Sequence, residues 1–424
     1  MKAFALAGIL ALTTGCTSAL LTPDYAAIRG ANYVPSYAST SVAAWLRYDP
    51  DQIDRELGYA ERLRLNSLRV FLQYVVYESD PPGFVRKVED FVARCDRRGI
   101  RPIFVLFDSC FGDEPSMEKA DSPAWLNNPG FSRLSRRDAL ERYVRDVVEP
   151  FRGDRRVLGW DVMNEPMADF NHVTRAEREA IWAFVRHFCG VVKQGDPTHP
   201  ITVGEAVVEY LPKNADRVDF LSVHSYAADV EEFRKDLEFA RGVGRSSGKP
   251  VVVTECGNPG AGQRYEMVFD VLGKEKLGFY FWELMIGKIQ FQTMAGLIYP
   301  DGTTRDPSAI QALGSTGFAK KENGVRLVTP PDETALRAFL RNRAQWPGLL
   351  EKARGAARTK AGMAPLVSPL TALGRQQARP GPAAMEIFES GLTIAHLLRM
   401  GRDAEAAAEY DTLLQAVEQA VGPR

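Results

Sequence analysis

The sequence predicts an α/β protein in which eight strand-helix units close into a barrel, followed by an α-helical C-terminal extension. Two observations support this prediction. Short apolar runs alternate with amphipathic stretches from Ile28 to about Leu313, and eight of these runs have the length and composition of strands. Such alternation is typical of parallel sheets covered by helices. Eight units in this length of chain fit a (β/α)8 TIM barrel, which commonly takes about 250 residues.

The eight predicted strands are separated by helical patterns along the whole of this region. The strands cover residues 28–34, 66–72, 101–108, 157–164, 201–205, 218–226, 249–255 and 278–284. Helical patterns fall at 51–65, 83–99, 137–151, 175–193 and 230–247. A doubly wound open sheet is the alternative, but it normally carries a glycine-rich phosphate loop after its first strand. The residues after Tyr33 read VPSYASTSVAAW and contain no such loop.

The composition is that of a soluble globular protein with enough apolar residues for a large core. Of the 424 residues, 45% are hydrophobic and 25% are charged, and the net charge is −1. A charge so close to zero gives no electrostatic reason to bind nucleic acid. The five histidines are scattered and no HExxH or CxxC motif occurs, so no metal site is expected.

The first residues have the features of an export signal. Lys2 precedes the apolar run AFALAGILAL, and the small residues TTGC follow. This run is too short to span a bilayer as a permanent helix. Its end resembles a bacterial lipoprotein lipobox, although Thr13 stands where leucine is usual. The resemblance implies that residues 1–16 include a lipoprotein signal and that Cys16 carries a lipid anchor. A plain signal peptide with later cleavage is the alternative, and both place the protein outside the cytoplasm, in the cell envelope.

The sequence changes character after the barrel, which we assign to residues 17–317. In the extension, 318–424, residues 332–357 are predicted to be helical with a break or kink at Pro347, and residues 361–383 to be a linker. Residues 385–421 then form two predicted helices around Gly401. This pair resembles a single tetratricopeptide-type hairpin, which cannot bury its own apolar face. We therefore expect it to dock onto the barrel or onto a protein partner.

Four cysteines remain beyond the signal, at positions 95, 110, 189 and 256. Export permits disulfides, but four cysteines in so long a chain do not make a disulfide scaffold, and their spacing assigns no pairs. Cys95 and Cys189 lie in predicted helices, where core packing is the simpler interpretation.

Polar side chains stand at the carboxyl ends of the predicted strands, where TIM barrels build their active sites. These strand-end residues are Asn32, Tyr33, Arg69, Asp108, Asn164, Glu165, Glu205, His224, Tyr226, Glu255, Trp282 and Glu283. Glu165 ends the fourth strand and Glu255 the seventh, so the barrel places them on opposite sides of its mouth. Two facing carboxyl groups can divide acid and base roles, as the cleavage of an acetal requires.

Each of these residues also has an ordinary structural interpretation. Asn164 and Glu165 can be read as a polar turn after a strand. Arg69 can be a core charge that pairs with a structural carboxylate, His224 an ordinary strand-end histidine, and Trp282 a packing residue.

The combined pattern resembles a known family. Asn164-Glu165-Pro166 follows an apolar strand, and Glu255 follows another about 90 residues later, which is similar to the clan of retaining glycoside hydrolases built on TIM barrels. The surroundings are most similar to glycoside hydrolase family 5, the cellulase and mannanase family. The supporting stretches are RGANY, SLRVF, HSY, TECG, FWE and GLIYPDGTTRDPSAIQAL, so the resemblance covers about residues 28–313.

The resemblance implies a retaining β-glycoside hydrolase that acts on a β-linked glycan or oligosaccharide by double displacement, without a cofactor. Glu165 would be the acid/base and Glu255 the nucleophile, with their carboxyl groups about 5 to 5.5 Å apart. Asn164 would bind the sugar 2-hydroxyl, and Arg69 would keep Glu255 ionised. The remaining implied roles are a hydrogen bond from Tyr226 to Glu255, a position near Glu165 for His224, and the floor of the reacting subsite for Trp282.

The chain departs from the family pattern after the third strand. The family usually has a histidine there, and this sequence reads FDSCFG, with Ser109, Cys110 and Phe111 in that neighbourhood. The departure leaves the substrate open, as well as the choice between internal and terminal cleavage. Because of this departure, a second hypothesis stays open: the protein is an inactive carbohydrate-binding lipoprotein built on the same barrel.

Overall fold

The computed structural model describes residues 20–110, 112–167, 175–321, 339–340, 342–378 and 382–422. Cys16, Phe111 and the predicted helical residues 332–338 lie outside this range.

Eight parallel strands pair in chain order and close into a barrel, β1 with β8. They are β1 Arg29–Tyr33, β2 Ser67–Phe71, β3 Arg101–Asp108, β4 Gly159–Asn164, β5 Ile201–Glu205, β6 Leu221–His224, β7 Val251–Glu255 and β8 Gly278–Phe281. The predicted barrel is confirmed, and β3 and β5 have the predicted bounds. The other strands are shorter than predicted because apolar runs extend beyond the paired residues.

Helices cover the outside of the barrel. They are α1 Ser41–Leu46, α2 Pro50–Arg62, α3 Tyr74–Ser79, α4 Pro81–Asp96, α5 Arg137–Val148, α6 Arg175–Gly195, α7 Leu211–Asn214, α8 Val230–Ser247, α9 Tyr265–Glu275 and α10 Pro307–Ala312. Aspartates begin several of them: Oδ1 of Asp49 accepts hydrogen bonds from two backbone N–H groups of α2, and Asp229 does the same for α8. Apolar residues on the inner helix faces and the outer strand faces form one core.

Further helices follow in the described part of the C-terminal region: α11 Trp346–Gly355, α12 Lys360–Gln377, α13 Pro382–Arg399 and α14 Asp403–Val421. They share a second hydrophobic core, which includes Leu350, Leu370, Ile394 and Leu413. Gly401 separates α13 from α14 with a φ of 71°, a conformation that glycine adopts readily. The pair thus buries its apolar face against α11 and α12.

The helical stretch is interrupted just before Pro347, at the predicted position: a 3-10 turn covers Arg343–Gln345, and α11 begins at Trp346 with Pro347 in its first turn, where its missing N–H needs no partner. One prediction for the C-terminal region is wrong. The linker predicted from residue 361 is mostly helix α12, although that helix contains Pro365 and Pro369. Its buried residues Met363, Leu366, Val367, Leu370 and Leu373 recur at helical spacing. Burial of this apolar face offsets the hydrogen bonds lost at the two prolines.

The C-terminal helices pack against the barrel beside β4 and β5. The rings of Tyr210 and Phe388 lie 5.5 Å apart, in a cluster with Met167 and Trp182. Arg375 on α12 forms an ion pair with Glu209, which follows β5. The extension therefore contacts the segments that follow the fourth and fifth strands.

Cys95, Cys110, Cys189 and Cys256 are free thiols. Cys95 and Cys189 are buried in the core, as predicted. Within the part of the chain that the structure describes, no helix is long and apolar enough to cross a membrane.

Candidate active site

The predicted site residues meet at the carboxyl end of the barrel. Hydrogen bonds join Asn32, Arg69, Asp108, Asn164, Tyr226 and Glu255 into one set. His224 hydrogen-bonds to Glu165 and lies 3.6 Å from Glu255, and nearly all of these residues are buried. Tyr33 and Glu205 lie elsewhere. The Tyr33 hydroxyl donates to Glu56, and Glu205 accepts from Asn214 on α7. Alternation along a strand explains the exclusion of Glu205, because its neighbour Gly204 faces Arg69 and His224 inside the barrel.

Arg69 is the centre of this set of hydrogen bonds. Its Nη1 lies 2.6 Å from Oε1 of Glu255 and 2.9 Å from Oδ1 of Asn32. Its Nη2 donates to Oδ1 of Asn164 at 2.7 Å, and its Nε donates to Oδ2 of Asp161 at 2.9 Å. The side chain is fully buried. One guanidinium therefore balances two buried carboxylates and fixes the orientation of Asn164.

Glu255 has partners that stabilise its charged form. Arg69 contacts one carboxylate oxygen, and the Tyr226 hydroxyl donates to the other, Oε2, at 2.8 Å. Burial raises the pKa of Glu255, whereas Arg69 and Tyr226 act to lower it. The carboxylate is thus held rigidly, with a cation in contact.

Among the described residues, the hydrogen-bond partners of the Glu165 carboxyl group are neutral. Nδ1 of His224 lies 2.6 Å from its Oε1, and the Cys110 thiol lies 2.7 Å from its Oε2. Burial raises the pKa of Glu165, and no cation in the described part of the chain touches the carboxyl group to offset that effect as closely as Arg69 does for Glu255. Of the two acids, Glu165 is therefore the one whose surroundings favour the protonated form.

The two carboxyl groups face each other across the mouth. One oxygen from Glu165, one from Glu255 and a ring nitrogen of His224 all lie within 4.8 Å of one another. Retaining glycosidases hold their carboxyl groups about 5 to 5.5 Å apart, and inverting enzymes about 6.5 to 9.5 Å. The separation is closer to the retaining value, which suits direct attack by one carboxylate.

The backbone at Glu165 adopts a strained conformation, with a φ of 43°. A non-glycine residue in this region costs of order 1–2 kcal/mol, so the surroundings must hold it there. Its N–H donates to the carbonyl of Gly204 at 2.7 Å, and Ser109 Oγ donates to its carbonyl at 3.1 Å. The β4–β5 pairing also shifts register between Asp161 and Asn164. These features turn the Glu165 side chain toward the mouth.

His224 is neutral in this setting. It is fully buried, and burial lowers its pKa to about 4. Its Nε2 makes no hydrogen bond with any described residue. A neutral imidazole ring can hydrogen-bond to the carboxyl group of Glu165 without adding a charge beside it.

Asp108, Trp125 and Trp282 form the wall of the site next to Glu165 and His224. Asp108 accepts hydrogen bonds from Asn164 Nδ2 at 3.0 Å and from Trp125 Nε1 at 2.5 Å, and burial raises its pKa to about 6. Trp125 and Trp282 both pack edge-on against Phe71, with ring centroids 5.5 and 5.9 Å away. Trp282 is 7% exposed, so its contact with a sugar remains a prediction.

The sequence analysis missed Asp161 and Cys110. Asp161 was detectable in principle, because an acidic residue inside the apolar strand GWDVMN needs a buried cation. Cys110 was noticed only as a departure from a family pattern, and no spacing predicted that its thiol would reach Glu165.

Within the residues that the structure describes, the group that could hold a metal ion is the cluster of Glu165, His224 and Glu255, each of which offers one ligand atom. The Arg69 guanidinium 2.6 Å from Glu255 opposes this, because it already neutralises that carboxylate and would repel a cation. The arrangement is better suited to acid/base and nucleophilic chemistry.

Comparison with known proteins agrees with this chemistry. Residues 55–287 match the sequence model of the family described as Cellulase (glycosyl hydrolase family 5). GH5_18 from Streptomyces cattleya, solved in complex with GlcNAc, aligns with a TM-score of 0.52 and 16% identity over 90% of this chain and 96% of that one. The exo-β-1,4-mannosidase Op5Man5 from Opitutaceae bacterium strain TAV5 aligns with a TM-score of 0.51 and 18% identity over 77% and 68%. At these identities both show a shared fold. No curated protein sequence matches the chain.

Proposed function

The chain belongs to glycosyl hydrolase family 5, the cellulase family, and is a glycoside hydrolase; we propose that it cleaves β-linked glycans or oligosaccharides by double displacement, with retention of configuration. The observation that carries the proposal is the approach of Glu165 and Glu255 to within 4.8 Å between oxygens. Such a distance favours a covalent intermediate over direct attack by water.

In the first step, a carboxylate oxygen of Glu255 attacks the anomeric carbon and the bond to the leaving oxygen breaks. Glu165 gives its proton to that oxygen, so the leaving group departs as a neutral alcohol. In the second step, Glu165 takes a proton from water, the water oxygen attacks the anomeric carbon, and the ester to Glu255 breaks. Both side chains return to their starting protonation states.

The surroundings support this division of roles. Arg69 and Tyr226 bind Glu255 and favour its ionised form, which a nucleophile needs. Glu165 contacts a neutral imidazole and a neutral thiol, and burial favours its protonated form. Two carboxyl groups in environments of this kind can serve as nucleophile and acid at the same pH.

Asn164 is placed to bind the sugar. Its Oδ1 accepts from Arg69 and one Nδ2 hydrogen goes to Asp108; its second N–H has no partner among the described residues and can donate to a substrate hydroxyl. Next to the acid/base, this N–H would reach the 2-hydroxyl, as the family resemblance implies. Trp282 would lie under the reacting sugar.

Mannosides are the first substrates to test. One structural neighbour is described as an exo-β-1,4-mannosidase and another was solved with GlcNAc. A panel of aryl β-mannosides, β-glucosides and β-N-acetylglucosaminides, together with β-1,4-linked oligosaccharides, separates these sugars. The length of the products distinguishes terminal from internal cleavage.

A 2-fluoro aryl β-glycoside of the preferred sugar tests the mechanism. The fluorine slows both steps, and a good leaving group lets the first proceed, so the glycosyl-enzyme accumulates. We expect mass spectrometry of peptides to find the label on Glu255, and the Glu255→Ala variant to remain unlabelled. Sugar binding without labelling or hydrolysis would instead support an inactive carbohydrate-binding protein.

We further propose that the protein is exported and held at the cell envelope by a lipid on Cys16. The support is the order of a charged start, an apolar run and TTGC at the N-terminus. A membrane anchor would keep the enzyme next to glycans that reach the cell surface.

A further inference from the structure

The Cys110 thiol contacts the carboxyl group of Glu165. Its Sγ lies 2.7 Å from Oε2, and among the described residues no other group hydrogen-bonds to that oxygen. The other oxygen, Oε1, is held by His224 at 2.6 Å. Each oxygen of Glu165 thus has one partner, and the two partners together define the plane of the carboxyl group.

Cys110 is itself fixed by the segment that ends β3. Its backbone N–H donates to Oδ1 of Asp108 at 3.0 Å, and the same carboxylate oxygen accepts from Asn164 Nδ2. Ser109 lies between Asp108 and Cys110 in the chain. It donates through Oγ to the carbonyl of Glu165 and through its N–H to the carbonyl of Asn164. Residues 108–110 therefore bind both side chains and both carbonyls of the Asn164-Glu165 pair.

The chemistry of this thiol is that of a donor. Burial and the neighbouring carboxylates of Glu165 and Asp108 raise the pKa of Cys110 far above its usual range. It therefore remains protonated, and a protonated thiol next to a carboxylate donates its S–H. Donation stabilises the ionised form of Glu165, which acts against the effect of burial.

We propose that Cys110 is a positioning residue for Glu165, whose thiol holds Oε2 and aims the carboxyl group at the leaving oxygen. This inference rests on the proposed role of Glu165 as acid/base. The S–H takes no part in bond making or breaking. Its hydrogen bond stabilises the carboxylate that remains after the proton has gone to the leaving group, and this is the form that accepts a proton from water in the second step.

Leaving-group dependence tests the proposal. Aryl β-glycosides with poor leaving groups need a proton from Glu165, whereas dinitrophenyl glycosides do not. For Cys110→Ala we expect kcat/KM to fall about tenfold with a phenyl glycoside and to change less than about threefold with the dinitrophenyl glycoside. Cys110→Ser, which retains an O–H donor, should recover most of the loss.

The pH profile gives a second readout. Loss of the thiol removes a donor that stabilises the ionised acid, so the basic limb of kcat/KM should move upward by about half a pH unit or more in Cys110→Ala. Cys95→Ala is the matched control, because Cys95 is buried in α4 away from the site and should change neither readout. Equal losses for both leaving groups, with an unmoved basic limb, would show that Cys110 only supports the fold.

A third variant separates this proposal from the proposed function. Glu165→Ala should lose phenyl glycoside hydrolysis and keep much of the dinitrophenyl activity in the first step. If Glu165→Ala lacks this pattern, the acid/base assignment is wrong. If Glu165→Ala shows it and Cys110→Ala does not, the assignment stands and the role of Cys110 is refuted.

Discussion

Nη1 of Arg69 lies 2.6 Å from Oε1 of Glu255, and the same guanidinium binds Asp161 through Nε at 2.9 Å. All three groups are buried. Glu255, the proposed nucleophile, is therefore tied to the opposite strand of the barrel through a single cation. This arrangement makes Arg69 important both for stability and for the charge of Glu255.

Replacing Arg69 by Met should be strongly destabilising. The change leaves two buried carboxylates without their cation, and breaking a buried pair by removing one partner typically costs about 3–5 kcal/mol. Urea unfolding measures the free energy of unfolding. The control is Arg47→Ala, which removes an exposed ion pair with Asp121 and should change the free energy of unfolding little. Equal small effects for both variants would mean that Arg69 does not balance buried charges.

Because of His224, the free energy of unfolding should decrease at mildly acidic pH. Its pKa is about 4 in the folded protein and about 6.5 in an unfolded chain, so between these values only the unfolded chain binds the proton. Stability from this group is complete above about pH 6.5 and decreases as the pH falls toward 4, by about 3 kcal/mol in all. Unfolding of the wild type and of His224→Gln should be compared from about pH 4 to pH 7.5. The two curves should converge as the pH falls, and parallel curves would contradict a buried neutral His224.

The barrel was predictable because its strands are buried on both faces. Such strands read as continuous apolar runs, which stand out from the amphipathic helices between them. The position of the site followed from the same topology, since parallel strands bring their carboxyl ends to one edge. Residues 101–108 illustrate this, because the apolar run and the polar residue that ends it coincide with β3 and Asp108.

The structural features that could not be predicted from the sequence depend on tertiary contacts. Helix α12 forms in spite of Pro365 and Pro369 because three neighbouring helices cover its apolar face. The contact of Cys110 with Glu165 depends on a loop conformation and on the positive φ at Glu165. Neither has a periodic signature in the sequence.

Asn164→Ala should weaken catalysis in a way that depends on the substrate. If its free N–H binds the 2-hydroxyl, kcat/KM for a normal glycoside should fall about 10²- to 10³-fold, as for other hydrogen bonds that strengthen in the transition state. With a 2-deoxy glycoside, which lacks this hydroxyl, wild type and variant should differ much less. An equal loss on both substrates would instead indicate that Asn164 acts only by holding Arg69 and Asp108.

Cys16→Ser should change where the protein is found. A diacyl anchor gives stable membrane attachment, whereas a protein without it has no comparable hold on the bilayer. In a bacterial host, wild type should fractionate with membranes and incorporate labelled fatty acid. The serine variant should lose the label and remain soluble or unprocessed. A wild type that is soluble and unlabelled would favour cleavage by an ordinary signal peptidase.

Phe388 tests whether the C-terminal helices support the active site. It is 7% exposed and its ring packs edge-on against Tyr210, in a cluster with Met167, which follows Glu165 by two residues. Phe388→Ala should therefore lower the free energy of unfolding by about 3–5 kcal/mol, the usual cost of removing a buried ring.

The control for this variant is Met400→Ala on the same bundle, where the side chain is 62% exposed and the cost should be within about 0.5 kcal/mol. Because Phe388 and Met167 belong to the same apolar cluster, Phe388→Ala should also reduce kcat/KM for phenyl glycosides more than for dinitrophenyl glycosides, as expected when Glu165 is displaced. Activity equal to wild type at a temperature where the variant is folded would mean that the bundle stabilises the barrel without positioning the acid/base. A larger loss of kcat/KM with phenyl glycosides than with dinitrophenyl glycosides would indicate that the C-terminal helices, as well as its immediate neighbours, hold Glu165 in position.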